Sequence, residues 1–262
     1  MSLACVTLSR NQGAFLQEAI NSVIKQNHLD EYLIYDVGST DTSREIIKNY
    51  SEEIKIILVD KDRGPSDGLN TSFNLTTSTI LYYLNSDDRV VNGAFEYASK
   101  YFQDNPSCDV LHGSIRIINR EGKVVGIKPS MNFSPLGFAL GYSVVYQQAT
   151  FFRRAIFDKT GFNLHNRTCW DGELIVDMAL AGAQIHRTKK ILGEFRIYSE
   201  SITGSGRLKT QIIEDHRRIS NKILGRDISK FEYCLGKLYG KIKAALRLRH
   251  LLRRKTMESL TS

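Results

Sequence analysis

The sequence predicts an α/β fold in which a doubly wound, mixed sheet carries helices on both faces and is followed by C-terminal helices. Three observations carry that expectation. Apolar, β-branched runs alternate with helical periodicities through the first hundred residues. Polar or acidic residues recur just beyond each of those runs. Past Pro106 the alternation gives way to a hairpin pattern, so the sheet cannot stay purely parallel.

The first strand is Leu3-Ala4-Cys5-Val6-Thr7-Leu8-Ser9, broken by Arg10-Asn11-Gln12-Gly13. Phe15, Leu16, Ala19, Ile20, Val23 and Ile24 then fall on one face of a helix. Tyr32-Leu33-Ile34-Tyr35-Asp36-Val37 is the second strand, and the cap-rich Gly38-Ser39-Thr40-Asp41-Thr42 leads into a helix through Ile46, Ile47 and Tyr50. Ile56-Ile57-Leu58-Val59 is the third strand, closed by Asp60-Lys61-Asp62-Arg63-Gly64. Pro65 suits the first turn of the helix that follows. The fourth strand, Ile80-Leu81-Tyr82-Tyr83-Leu84-Asn85, runs out into Ser86-Asp87-Asp88, with a helix over 95–102 behind it. Residues 110–118 and 123–127 form the hairpin around Asn119-Arg120-Glu121-Gly122. Residues 133–146 are aromatic and glycine-containing without a period, a pocket wall or a loop. A strand over 148–152, a helix over 173–181 begun by Asp171-Gly172, and a late strand over 191–198 complete the reading.

At 262 residues the chain can bury a sizeable core as one large domain, with or without a small appendage. Its net charge of +8 is unevenly spread: residues 230–262 hold nine Lys/Arg against two Glu. The basicity therefore describes a tail, and nucleic acid is not an expected partner. Cys5, Cys108, Cys169 and Cys234 lack metal-ligand spacing and read as reduced, which suits the cytoplasm. The chain enters its first strand without a leader pattern, and no segment has the length and apolarity of a membrane span.

In an open α/β sheet, ligands bind beyond the carboxyl ends of the strands. Parallel order would bring Thr7, Ser9, Asp36, Asp62, Asp87 and Asp88 to one such edge. Each alone reads as a cap or turn residue; their recurrence points to a site. Paired carboxylates there suit Mg²⁺ or Mn²⁺ when the ligand brings its own phosphates. Neither a G-x-G-x-x-G turn after the first strand nor a G-x-x-x-x-G-K-[ST] loop is present, which disfavours dinucleotide oxidoreductases and P-loop NTPases.

Four blocks, Val6-Thr7-Leu8-Ser9-Arg10-Asn11, Asp36-Val37-Gly38-Ser39-Thr40-Asp41, Asp62-Arg63-Gly64-Pro65-Ser66-Asp67-Gly68-Leu69-Asn70 and Leu84-Asn85-Ser86-Asp87-Asp88, resemble successive blocks of family-2 glycosyltransferases with the A-type fold. Gln148-Ala149-Thr150-Phe151-Phe152-Arg153-Arg154, Trp170-Asp171-Gly172-Glu173 and Phe195-Arg196-Ile197-Tyr198 extend the likeness to residues 3–205. The resemblance implies a nucleotide-diphospho-sugar transferase fold, with residues 1–105 as the nucleotide-sugar-binding half, 106–228 as the acceptor-binding and catalytic half, and 229–262 as a basic amphipathic helical tail. It implies that Thr7, Ser9, Asp36 and Asp62 line the base and ribose of the donor, with Asp67 near the same pocket. It places Mn²⁺ or Mg²⁺ on Asp88, gives Asp87 to the ribose or sugar, and puts the general base at Asp171, with Glu173 as the other carboxylate. Two residues apart at a helix start, Asp171 and Glu173 would not share a face.

Val37, Gly68 and Thr42 depart from the family's usual residues, as does the segment after Asp171. The expected activity is inverting, metal-dependent transfer from a nucleotide-sugar, most simply UDP-linked, to a glycan or lipid-linked glycan in bacterial surface polysaccharide synthesis. A nucleotidyltransferase would need a basic cluster near the N-terminus, where Arg10 stands alone. A non-catalytic glycan-binding relative would have no use for Asp87, Asp88 and Asp171 together. Leu235, Leu238, Tyr239, Ile242 and Leu246 form an apolar stripe in the basic tail, which suits either an anionic membrane surface on the inner face of the cell membrane or packing on the catalytic domain.

Overall fold

The computed structural model describes residues 1–201 and 205–242. β1 (Leu3–Ser9), β2 (Glu31–Val37), β3 (Lys55–Val59) and β4 (Ile80–Asn85) alternate with α1 (Gly13–Ile24), α2 (Ser43–Lys48) and α3 (Pro65–Asn74). The four strands are parallel in the order β3-β2-β1-β4, with Ser9 level with Asp36 and Leu8 level with Asn85. Their carboxyl ends therefore form one edge, as the sequence predicts.

Alternation along each strand sends side chains to opposite faces. Leu3, Cys5, Tyr82 and Leu84 join α1 and α4 (Ala94–Asp104) in one apolar cluster. Ala4, Val6, Leu81 and Tyr83 join α3, α6 (Arg154–Thr160) and α7 (Trp170–Leu180) in the other. Burial on both faces explains why β1 and β4 read as continuous apolar runs.

The sheet becomes mixed beyond β4. β8 (Thr150–Arg153) is antiparallel to β4 and to β6 (Val110–Ile118), β7 (Val124–Lys128) completes the expected hairpin, and β9 (Ile185–Arg196) runs parallel to β6. β9 starts earlier than the residues 191–198 expected, because residues 185–187 already pair with β6. The two-residue β5 (Arg89–Val90) pairs antiparallel with β9 and pins the far end of the Ser86-Asp87-Asp88 turn.

Residues 133–146 contain the short helix α5 (Pro135–Ala139), capped by the Ser134 hydroxyl on the Gly137 N–H. α8 (Lys209–Leu224) packs against α5, and a further helical stretch occupies residues 230–242. Leu246, the last position of the expected apolar stripe, lies outside the described residues.

Candidate active site

The Ser86-Asp87-Asp88 turn sits where β4 ends, and its two carboxylates have different environments. Asp88 is 1% exposed. Its Oδ1 accepts from the backbone N–H of Arg196 at 2.9 Å, and its Oδ2 from Gln148 Nε2 at 2.8 Å and Asn85 Nδ2 at 3.4 Å. Asp87 is half-buried, and its Oδ2 receives the Tyr198 hydroxyl at 3.1 Å. Burial pushes both carboxyls upward, and the neighbouring Asp87 adds to the rise at Asp88. Asp88, the residue expected to hold the metal, thus has its carboxylate engaged by three N–H donors inside the protein, and Asp87 is the more exposed member of the pair.

Arg196 organises this turn, a part that its place in the sequence did not signal. It is fully buried. Besides its backbone bond to Asp88, Nε donates to the Asp87 carbonyl at 2.7 Å, Nη1 to the Arg120 carbonyl at 2.7 Å, and Nη2 to Glu18 Oε2 at 2.8 Å. Its guanidinium lies 4.7 Å from the centre of the Phe15 ring. A buried guanidinium with this many acceptors is compensated by them and fixes the backbone around it.

The expected nucleotide contacts divide. Ser9 is buried, and among the described residues its hydroxyl has no hydrogen-bond partner; Ser66, at the start of α3, is the same. Thr7, two residues short of the strand's end, is fully buried and shares a hydrogen bond of 3.0 Å with the Tyr32 hydroxyl. Asp36 lies at the edge, but Arg44 Nε at 2.9 Å and Ser39 Oγ at 2.6 Å occupy its oxygens, so it shapes the loop after β2. Asp62 accepts the Gly64 N–H at 2.9 Å and turns the chain into α3. Asp67 is paired with Arg63 at 3.0 Å, which holds its carboxyl below the usual range.

Asp171 is the second residue of α7, and Cys169 precedes the helix as its cap position, so Asp171 is not itself the N-cap. With Tyr83, Gln147, Thr150 and Leu174 it lines a cavity of about 10 Å³, the size of one water molecule. Gln147 also accepts from Asn85 Nδ2 at 3.2 Å, which links Asp171's surroundings to the end of β4. Burial raises the Asp171 carboxyl above its ordinary value. Phe138 covers the next residue so closely that a Cβ on Gly172 would stand 2.7 Å from its ring.

Glu173, expected as the other catalytic carboxylate, is taken up by donors from α8 and from the loop before α7. It is fully buried and accepts from Arg218 Nη1 and Nη2, both at 2.6 Å, Lys222 Nζ at 2.6 Å, Asn163 at 2.9 Å and Asn166 at 2.7 Å. Burial works against its charge, but these donors outweigh it and bring the carboxyl down to about 2. No lone pair is left for a substrate hydroxyl. The sign follows from linkage: with an unfolded value near 4.5, its contribution is complete above that pH and is lost as pH falls through about 2. Glu173→Gln is expected to cost on the order of 3 kcal/mol at neutral pH. Urea denaturation should show the variant and wild type converging as pH drops below 4; a constant gap would contradict this.

Among the described residues, no three His, Cys, Asp or Glu side chains come together as a metal cage. A divalent ion at this edge would take Asp87 as its protein carboxylate and its other oxygens from a phosphorylated ligand and water. Mg²⁺ and Mn²⁺ accept such a set, so the residues present fit the ion.

The model of the family described as Glycosyl transferase family 2 matches residues 5–166. A glycosyltransferase of Nostoc sp., described as uncharacterized, is 30% identical over 130 residues, spanning 48% of this chain and 40% of that protein. A PGL/p-HBAD biosynthesis glycosyltransferase of Mycobacterium bovis is 26% identical over 214 residues, covering 76% of this chain and 79% of its own. Among solved structures, S. aureus TarS 1–349 in complex with UDP-GlcNAc superposes with a TM-score of 0.70 at 18% identity, over 89% of this chain and 69% of that one. The mannosyltransferase PcManGT from Pyrobaculum calidifontis, in complex with GDP-Man and Mn²⁺, gives 0.66 at 13% identity over 91% and 69%. At these identities the structural likeness speaks for the fold.

Proposed function

The chain belongs to glycosyl transferase family 2 and has the A-type fold, and from that premise we propose that it is an inverting, metal-dependent glycosyltransferase. The observation that carries the proposal is a partly exposed carboxylate, Asp87, at the end of β4, together with a second carboxylate of raised affinity for protons, Asp171, which lines a small cavity with Tyr83 of the same strand. The donor is a nucleotide-sugar, with UDP favoured over GDP. Relatives of the fold bind both, UDP-GlcNAc in one and GDP-Man with Mn²⁺ in another. Its nucleoside meets the orphan hydroxyls of Ser9 and Ser66, close to Asp62 and Asp67, in the half formed by residues 1–105.

Asp87 would hold Mn²⁺ or Mg²⁺ with the donor's diphosphate, and the ion would supply charge stabilisation to the leaving phosphate. Asp88, Gln148 and Arg196 keep Asp87 in place. An acceptor hydroxyl bonds to the anomeric carbon as the bond from that carbon to the diphosphate oxygen breaks. The electron pair leaves with the nucleoside diphosphate, and the hydroxyl proton passes to Asp171. One displacement inverts the anomeric centre. The acceptor enters through the half formed by residues 106–228 and is a glycan, free or lipid-linked, of the kind assembled into bacterial surface polysaccharide. The four unpaired cysteines fit a cytoplasmic site of action.

Thermal-shift titration of UDP-, GDP-, dTDP- and CMP-sugars with and without Mn²⁺ tests the donor assignment. One nucleotide should stabilise the protein, and by at least about 2 kcal/mol more with metal at saturating ligand. No response to any of the four would remove the assignment.

A further inference from the structure

The helix over residues 230–242 carries two faces with opposite roles. Gly236 is buried, and a Cβ on it would stand 2.0 Å from the Leu140 carbonyl; a Cβ on Gly240 would meet the Tyr142 Cβ at 2.8 Å. Tyr233, on the same face, lies against Gly141 and 5.0 Å from the His216 ring. The helix is therefore seated on the protein through its glycines. Phe231, Leu235, Leu238 and Ile242 recur at the spacing of a single helical stripe on the other side. They are 72%, 48%, 53% and 51% exposed.

A helix seated through its large residues would hide this stripe. This one shows it, with Lys230, Lys237 and Lys241 along one flank and six further Lys/Arg against one Glu in the sequence of 243–262. An outward apolar stripe beside a row of cations matches the interfacial zone of an anionic bilayer, where apolar side chains enter the acyl boundary and lysines meet phosphate headgroups. A neutral apolar partner would leave the charge unused. The seat also lies next to the catalytic helix: Tyr233 touches His216, His216 stacks on Phe138 at 5.3 Å, and Phe138 covers Gly172 beside Asp171.

We propose that this helix docks the enzyme on an anionic membrane surface and so presents the acceptor face around Asp171 to a lipid-linked glycan. The acceptor part rests on the glycosyltransferase reading; the docking does not. Flotation of the full chain with phosphatidylcholine vesicles, and with vesicles that also contain phosphatidylglycerol, is the test. Wild type should float only with the anionic vesicles, and Phe231→Glu with Leu238→Glu should lower the bound fraction about tenfold or more. These side chains point away from the seat, so the variant should keep its Tm, its donor-induced shift and its activity on a soluble acceptor. Wild type that stays with the solvent, or a variant that binds equally, overturns the proposal. So does sedimentation showing that the stripe pairs two copies of the chain and leaves the vesicles unbound. Flotation with no response to any nucleotide-sugar would keep the docking surface and remove the transferase reading.

Discussion

Asp171→Asn is expected to lower glycosyl transfer by about 10²–10⁴-fold while leaving donor affinity nearly unchanged, because a positioned base contributes on that scale. The amide keeps the shape of the side chain and its bond from the Gly172 N–H, and loses only the ability to take a proton. Burial raises the Asp171 carboxyl, so the acid limb of kcat/KM in wild type should lie above the ordinary carboxylate range. A second readout separates catalysis from architecture. A carboxyl that burial holds high binds its proton more tightly folded than unfolded, so its ionisation costs stability as pH rises through the raised value. Asp171→Asn should therefore be as stable as wild type at neutral pH, or more so. A large drop in Tm would mean that Asp171 supports the fold.

Asp87→Asn is expected to remove the metal-dependent part of donor stabilisation and to lower transfer by about 10²–10³-fold, the scale seen when one electrostatic contact to a developing charge is lost. Asp88→Asn should behave differently. Its carboxylate receives the Arg196 N–H and the amides of Gln148 and Asn85, and an amide in its place turns a donor toward one of those donors. The main result should be a loss of about 1–3 kcal/mol in stability, with metal dependence preserved in whatever donor binding remains. Calorimetric titration of the nucleotide with and without Mn²⁺, alongside denaturation of each variant, checks both outcomes. The reverse pattern, with Asp88 governing the metal response, would restore the assignment that the sequence alone favours.

The strands and helices of the first hundred residues were legible because each hides apolar residues on one or both faces, which leaves a period in the chain. So were the shared edge of strand ends and the separate directions of Asp171 and Glu173. α8 left no such period. Its buried positions include Asp215 and Ser220, and it is held to α7 by Arg218 and Lys222 on Glu173. α6 is only seven residues long. The different surroundings of Asp87 and Asp88 were hidden for another reason: they are set by Gln148 and Arg196, residues distant in the chain. Similarly, the tail's apolar stripe could be read from its spacing, but its outward direction depends on Gly236 fitting over the Leu140 carbonyl.

The central claim is direct displacement with Asp171 as the base, and the anomeric configuration of the first product tests it most directly. Proton NMR of the glycoside formed from the donor found in the nucleotide panel reports the coupling at the anomeric centre, which the new glycosidic bond keeps from mutarotating. An α-linked donor should yield a β-linked product with wild type and none above background with Asp171→Asn. A product that retains the donor's configuration, or transfer that survives undiminished in Asp171→Asn, would contradict the account.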